Sequence, residues 1–172
     1  MHRDLRAVTR PTQVGIVSPP RPAVPQPERM ETIQSAHSRL RFDSLEHVTT
    51  PDGSGRVSVR LEWRGESYER TVSCLETQQS IIKAASEAAL IAMLASTEGE
   101  RTEKIELEVI GVKAVKAFDG WVVVTRIHGS AGVDTYQLLG AAPCELEADL
   151  PSAAVKAVLN ASNRVLEQRV AR

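Results

Sequence analysis

The 172-residue chain predicts an α+β fold of two pseudo-repeated βββα units, with antiparallel sheets packed on two main helices. Three observations carry that expectation. Six segments show apolar residues two apart, the spacing of half-buried strands. Turn signals rich in Gly and Pro separate these segments at hairpin distance. An alanine-rich helical stretch closes each group of three strands, and the whole plan recurs after roughly 65 to 70 residues.

Residues 1–36 read as a tail. The stretch SPPRPAVPQPE holds five prolines, which remove backbone donors and favour extended conformations. A disordered leader is expected there, with a docking peptide or a tether as the functional alternative. The folded domain is expected over residues 37–172, with repeat one at about 39–98 and repeat two at about 103–170.

Within repeat one, RLRFDSLEHV alternates at Leu40 and Phe42 and then slips at Leu45, which predicts a strand with a bulge. PDGSG is a turn. RVSVRLEWRG places Val57, Val59, Leu61 and Trp63 on one face and Ser58, Arg60, Glu62 and Arg64 on the other. RGES turns the chain into a third strand, SYERTVSC. A helix is expected from about Thr77 or Ser80 to about Ala95, ended by the polar EGERTEK. Repeat two follows the same order: KIELEVIGVKAV, then GWVVVTRIHG, a turn at GSAG, and DTYQLLGAA. Its helix is expected from about Leu150 to Gln168, capped by Asp149, with Pro151 tolerated in the first turn.

The first helix lacks a polar face over AALIAMLA, Ala88 to Ala95. Such a helix is buried on more than one side. Its own sheet covers one side, and the second helix or another subunit must cover the other. The expectation is a homodimer with Ile91, Met93 and Leu94 at the interface.

Composition narrows the function. The net charge of −1 and the 3% aromatic content disfavour nucleic acid, which needs basic surface or stacking platforms. An RNA-binding domain using Arg56, Arg60, Arg64 and Arg70 around one hairpin is the alternative. The start, with arginines but no apolar stretch, is not expected to act as a secretory signal, and no apolar run in the sequence approaches membrane-spanning length. The two cysteines, Cys74 and Cys144, make no disulfide framework, so a cytoplasmic protein is expected, with each thiol read as a small buried hydrophobe. His2, His37, His47 and His128 do not pair with one another or with Cys at ligand spacing, so neither metal nor cofactor is expected. With no convergent acid, base and nucleophile, the chain reads as non-catalytic.

Two stretches carry a family resemblance. One is RLRFDSLEHVTTPDGSGRVSVRLEWRGESYERTVSC, with its V-x-L-x-W-x-G-x-x-Y hairpin; the other is TYQLLGAAPCELEADLPSAAVKAVLNASNRVL. In order and duplication, over residues 39–166, they resemble the C-terminal allosteric (dimerisation) domain of 2-isopropylmalate synthases. The resemblance implies a regulatory module of leucine biosynthesis in which two copies associate and end-product leucine binds near the helix starts. It implies a second copy, a small amino- or keto-acid effector and an enzyme partner. The expected ligand-binding residues are Gly140, Ala141, Ala142, Asp149 and Ala154, because a helix N-terminus presents unpaired N–H groups to a carboxylate. The chain departs from the family in entering its first helix through SCLETQQSII, without the glycine- and proline-containing turn. Glu145, Glu147 and Asp149 also place negative charge beside the second junction. The synthase barrel and its metal-binding H-x-H have no counterpart in these residues.

Overall fold

The computed structural model describes residues 39–100 and 105–170. The tail expected over 1–36 lies outside them. Strands β1 (Arg41–Thr49), β2 (Ser54–Trp63) and β3 (Glu66–Leu75) precede α1 (Gln78–Ser96) and a short 3-10 turn at Glu98–Glu100. Strands β4 (Ile105–Ala117), β5 (Gly120–Ala131) and β6 (Asp134–Cys144) precede a second 3-10 turn, Glu147–Asp149, which runs into α2 (Leu150–Val170). Each group of three strands forms its own antiparallel sheet in sequence order, so the α+β fold of duplicated βββα units is what the chain adopts.

Strand alternation produces the core directly. Val57, Val59, Leu61 and Trp63 on β2 are buried, while Arg60 between them and Arg56 before them are exposed. The slip read at Leu45 is a bulge: the β1 register shifts between Phe42 and Ser44, which keeps both Phe42 and Leu45 packed against the core. The β2–β3 turn is a two-residue loop with Arg64 and Gly65 both at positive φ, 52° and 84°. This is the primed geometry that matches strand twist. In the β1–β2 turn the Asp52 carboxylate accepts from Thr50 Oγ1 at 2.6 Å, Ser54 Oγ at 2.7 Å and Ser54 N at 3.2 Å. Those donors hold its pKa down at about 2, so the stability they contribute is present above its ordinary 3.8 and is lost as pH falls through about 2. In repeat two the turn falls at the end of GSAG: β5 continues through Ala131, and Gly132, at φ 60°, carries the reversal.

Helix α1 begins at the cap Thr77, whose side chain accepts from Ser80 N, while Ser80 Oγ accepts from Leu75 N. It is buried almost all round. One side lies on β2 and β3; another meets α2 and β4 of the second repeat. What remains open is a stripe through Lys83, which pairs with Glu87 at 3.6 Å, and Ile91. The second layer that the apolar helix requires is therefore supplied inside the chain. Polar bonds reinforce the joint: Gln78 Nε2 donates to Glu147 Oε1, and Gln79 Nε2 donates to the Val112 carbonyl at 2.8 Å.

Beneath α2, Thr125 on β5 is 0% exposed and its hydroxyl finds no hydrogen-bond partner. A hydroxyl buried in that way costs its desolvation with nothing returned. Thr125→Val, nearly identical in shape, is expected to raise unfolding stability by about 1 kcal/mol, read from the urea midpoint at unchanged slope.

Candidate functional site

Of the residues expected to line a pocket at the start of α2, Gly140 lies against a later part of the helix, at Ala157 and Ala161. Gly140 and Ala142 lie within β6, opposite Thr125 and Val123 of β5, and both are buried. A Cβ on Gly140 would overlap the Ala157 carbonyl oxygen and come within 2.8 Å of the Ala161 backbone nitrogen. Both positions lie well inside α2. Ala141 is exposed, and its carbonyl accepts from Asn160 Nδ2 at 2.9 Å. Ala154 is wholly buried, and Asp149 is exposed in the preceding turn. The glycine and the spaced alanines thus let a helix approach a strand closely, and the space beside Gly140 is filled by α2 itself. The interface expectation is corrected in part as well. Met93 is 0% exposed and belongs to the chain's own core, Leu94 is half-buried, and Ile91 alone of the three is exposed.

A different group of reactive side chains does converge. His47 lies near the end of β1, Cys74 near the end of β3, and Glu76 in the connection to α1. One ligand atom from each lies within 4.8 Å of the others. Strand register explains the meeting: His47 pairs with Val57, and Cys74 pairs with Gly55 two residues earlier, so His47 and Cys74 share the helix-facing side of the sheet. Gly55 leaves an empty place on that face. The Glu76 carboxylate fills it, since a Cβ on Gly55 would collide with Glu76 Oε1 and stand 3.1 Å from His47 Nε2. His47 Nε2 and Glu76 Oε1 are 3.0 Å apart, with side chains 26% and 25% exposed, while Cys74 is buried.

Burial, and then the Glu76 carboxylate, push the Cys74 thiol up. Burial and Asp149 raise that of Cys144 against a smaller opposing effect of Lys156. Both thiols are free, and neither has the lowered pKa of an activated nucleophile.

The outer faces of the two sheets contrast. On the first, Arg60 pairs with Glu69 at 2.7 Å and with Asp43 at 3.9 Å, Arg41 reaches Glu62 at 4.0 Å, and Ser58 bonds Thr71. Arg70 donates to the Glu69 carbonyl, and Arg64 lies over the Trp63 ring. Of the hairpin arginines considered for RNA, Arg60 is therefore bound to acids on its own face. On the second sheet, Val115, Val122 and Pro143 form one outward row across β4, β5 and β6. Lys113, Val124 and Ala141 form the next, and Leu139 beside Arg126 follows. Val115 is 43% and Leu139 71% exposed, and Phe118, at the adjoining hairpin tip, is fully exposed at φ 55°.

No protein-family model and no curated protein matches the chain. Among the described residues no helix is long and apolar enough to cross a membrane.

Two features escaped the sequence reading. The His47–Cys74–Glu76 group joins residues far apart along the chain, and only strand register brings them together. The outward apolar rows had a local signal: Val122, Val123 and Val124 are consecutive, and an uninterrupted β-branched run marks a strand covered on both faces.

Proposed function

We propose that the chain is a non-catalytic regulatory and dimerisation module that pairs with a second copy of itself through the outer face of its second sheet. The observation that carries this is the pair of outward rows Val115–Val122–Pro143 and Lys113–Val124–Ala141, set against a first sheet whose outer face is tied up in ion pairs. Rows of apolar side chains across three strands, here Val115, Val122, Pro143, Val124 and Ala141 with Lys113 and Arg126 at their margin, pack well on a like face, the arrangement of sheet-on-sheet cores. Phe118 supports the same surface. A bulky residue in the left-handed region is strained, and this one extends a ring into solvent where those rows begin. The regulatory part rests on the resemblance to the synthase allosteric domain, with an enzyme as partner and a small amino or keto acid as effector. Two unpaired cysteines suit a reducing, cytoplasmic setting.

Light scattering of the full chain is expected to give a dimer mass. Val124→Lys, which puts a second positive charge beside Lys113 on the central strand of the face, is expected to weaken association by about 100-fold or more. Phe118→Gly is expected to weaken association too while making the monomer more stable, because the left-handed strain disappears with the ring. A wild-type monomer, or a dimer indifferent to Val124→Lys, overturns the assembly reading. Calorimetry with leucine and related keto acids tests the sensing part, and absence of heat across that panel confines the role to assembly.

A further inference from the structure

We propose that His47, Cys74 and Glu76 form a binding site for a divalent cation of the zinc type at the corner where the first sheet meets α1. Three donors of three kinds converge there from three separate places: an imidazole from β1, a thiol from β3 and a carboxylate from the connection to α1. In a tetrahedral zinc site, metal–ligand lengths of about 2.0–2.3 Å put ligand atoms about 3.3–3.8 Å apart. The His47–Glu76 pair at 3.0 Å and the 4.8 Å limit on the whole set bracket that spacing. The side chains of His47 and Glu76 are partly in water, while Cys74 is buried and held in place.

Gly55 is the independent sign that the corner is built for this set. It sits between the two ligand-bearing strands, opposite Cys74, and only the absence of its Cβ lets the Glu76 carboxylate lie over β2 beside His47. The donor set then selects the ion. Calcium and magnesium take oxygen ligands, and copper(I) prefers wholly soft ones, whereas zinc and cobalt(II) accept nitrogen, sulfur and oxygen together. Three protein ligands leave a fourth position for water, and His47 and Glu76 are the partly exposed members of the set. Binding replaces the His47–Glu76 hydrogen bond with one bond from each residue to the ion. The Cys74 thiol gives its proton to solvent and binds as thiolate; nothing is oxidised or reduced. An ion held there ties the edge strand β1 to β3 and to the entry of α1, across β2.

Titration of the full chain with zinc in a calorimeter, and with cobalt(II) in a spectrophotometer, tests the site. One ion per chain is expected, with a thiolate-to-cobalt charge-transfer band and a rise in Tm on loading. His47→Gln and Cys74→Ser are each expected to weaken binding by more than about 100-fold, beyond the loss typical of an outer-shell change. Gly55→Ala is expected to weaken it by displacing the Glu76 carboxylate, and Cys144→Ser to leave it unchanged. His47 stands at an exposed strand end, so His47→Gln keeps the test decisive even if Cys74→Ser fails to fold. No binding by the wild-type chain, or equal affinity in the wild type and His47→Gln, overturns the proposal.

Discussion

Gly140→Ala is expected to destabilise the domain by about 3 kcal/mol, the upper end of ordinary overpacking, and Gly140→Val to prevent folding. The reason is what the added carbon would strike. At Gly129 an added Cβ meets the Tyr136 ring and a Leu107 methyl, which are side-chain atoms able to turn aside. At Gly140 it meets the Ala157 carbonyl oxygen and the Ala161 nitrogen, fixed by the hydrogen bonding of α2, so helix and strand must separate. Separation opens voids along the small-residue face of α2, where Ala153, Ala154 and Ala157 are buried at almost zero exposure. Against a total stability of about 5–15 kcal/mol, a loss of that size is easily measured. Gly111→Ala is the control: an added Cβ there meets nothing within 4 Å, and its urea midpoint is expected to stay near that of the wild type. A Gly140→Ala variant as stable as the wild type would show that strand and helix do not touch as described.

Gly140 also shows where the sequence could be read and where it could not. Strand alternation, turn residues and helix starts are local signals, and β2, the bulge in β1 and a helix start near Thr77 follow from them. The glycine-plus-alanine pattern of β6 and α2 is local as well. It encodes close approach, and the same pattern serves a helix laid on a strand or a backbone laid on a ligand. Sequence leaves that choice open; packing decides it in favour of the helix. The His47–Cys74–Glu76 corner had no local signal, because His47 and Cys74 belong to the two strands that flank β2 and meet only once the sheet is paired. Spacing rules for metal ligands detect sites on one hairpin or one helix turn, and this arrangement is neither.

The apolarity of α1 was legible, but the layer that absorbs it was not, and substitution at neighbouring positions separates the two answers. Met93→Ala is expected to cost about 3 kcal/mol, the range for removing a buried methionine side chain, and Ile91→Ala less than about 1 kcal/mol. Met93 is 0% exposed, and its carbonyl accepts from both Ser96 Oγ at 2.8 Å and Thr97 Oγ1 at 3.2 Å, so the last turn that carries it is tied closed. Ile91 is 46% exposed, on the stripe that also bears Lys83 and Glu87. If α1 were the surface joining two copies, Ile91→Ala would weaken association and leave the stability of the separate chains untouched. With α2 and β4 covering the helix from within, association should instead be indifferent to Ile91→Ala and should respond to Val124→Lys on the far face of the second sheet. Denaturation midpoints and light-scattering masses, measured on the same three proteins, distinguish a helix consumed by its own core from one held in reserve for a partner.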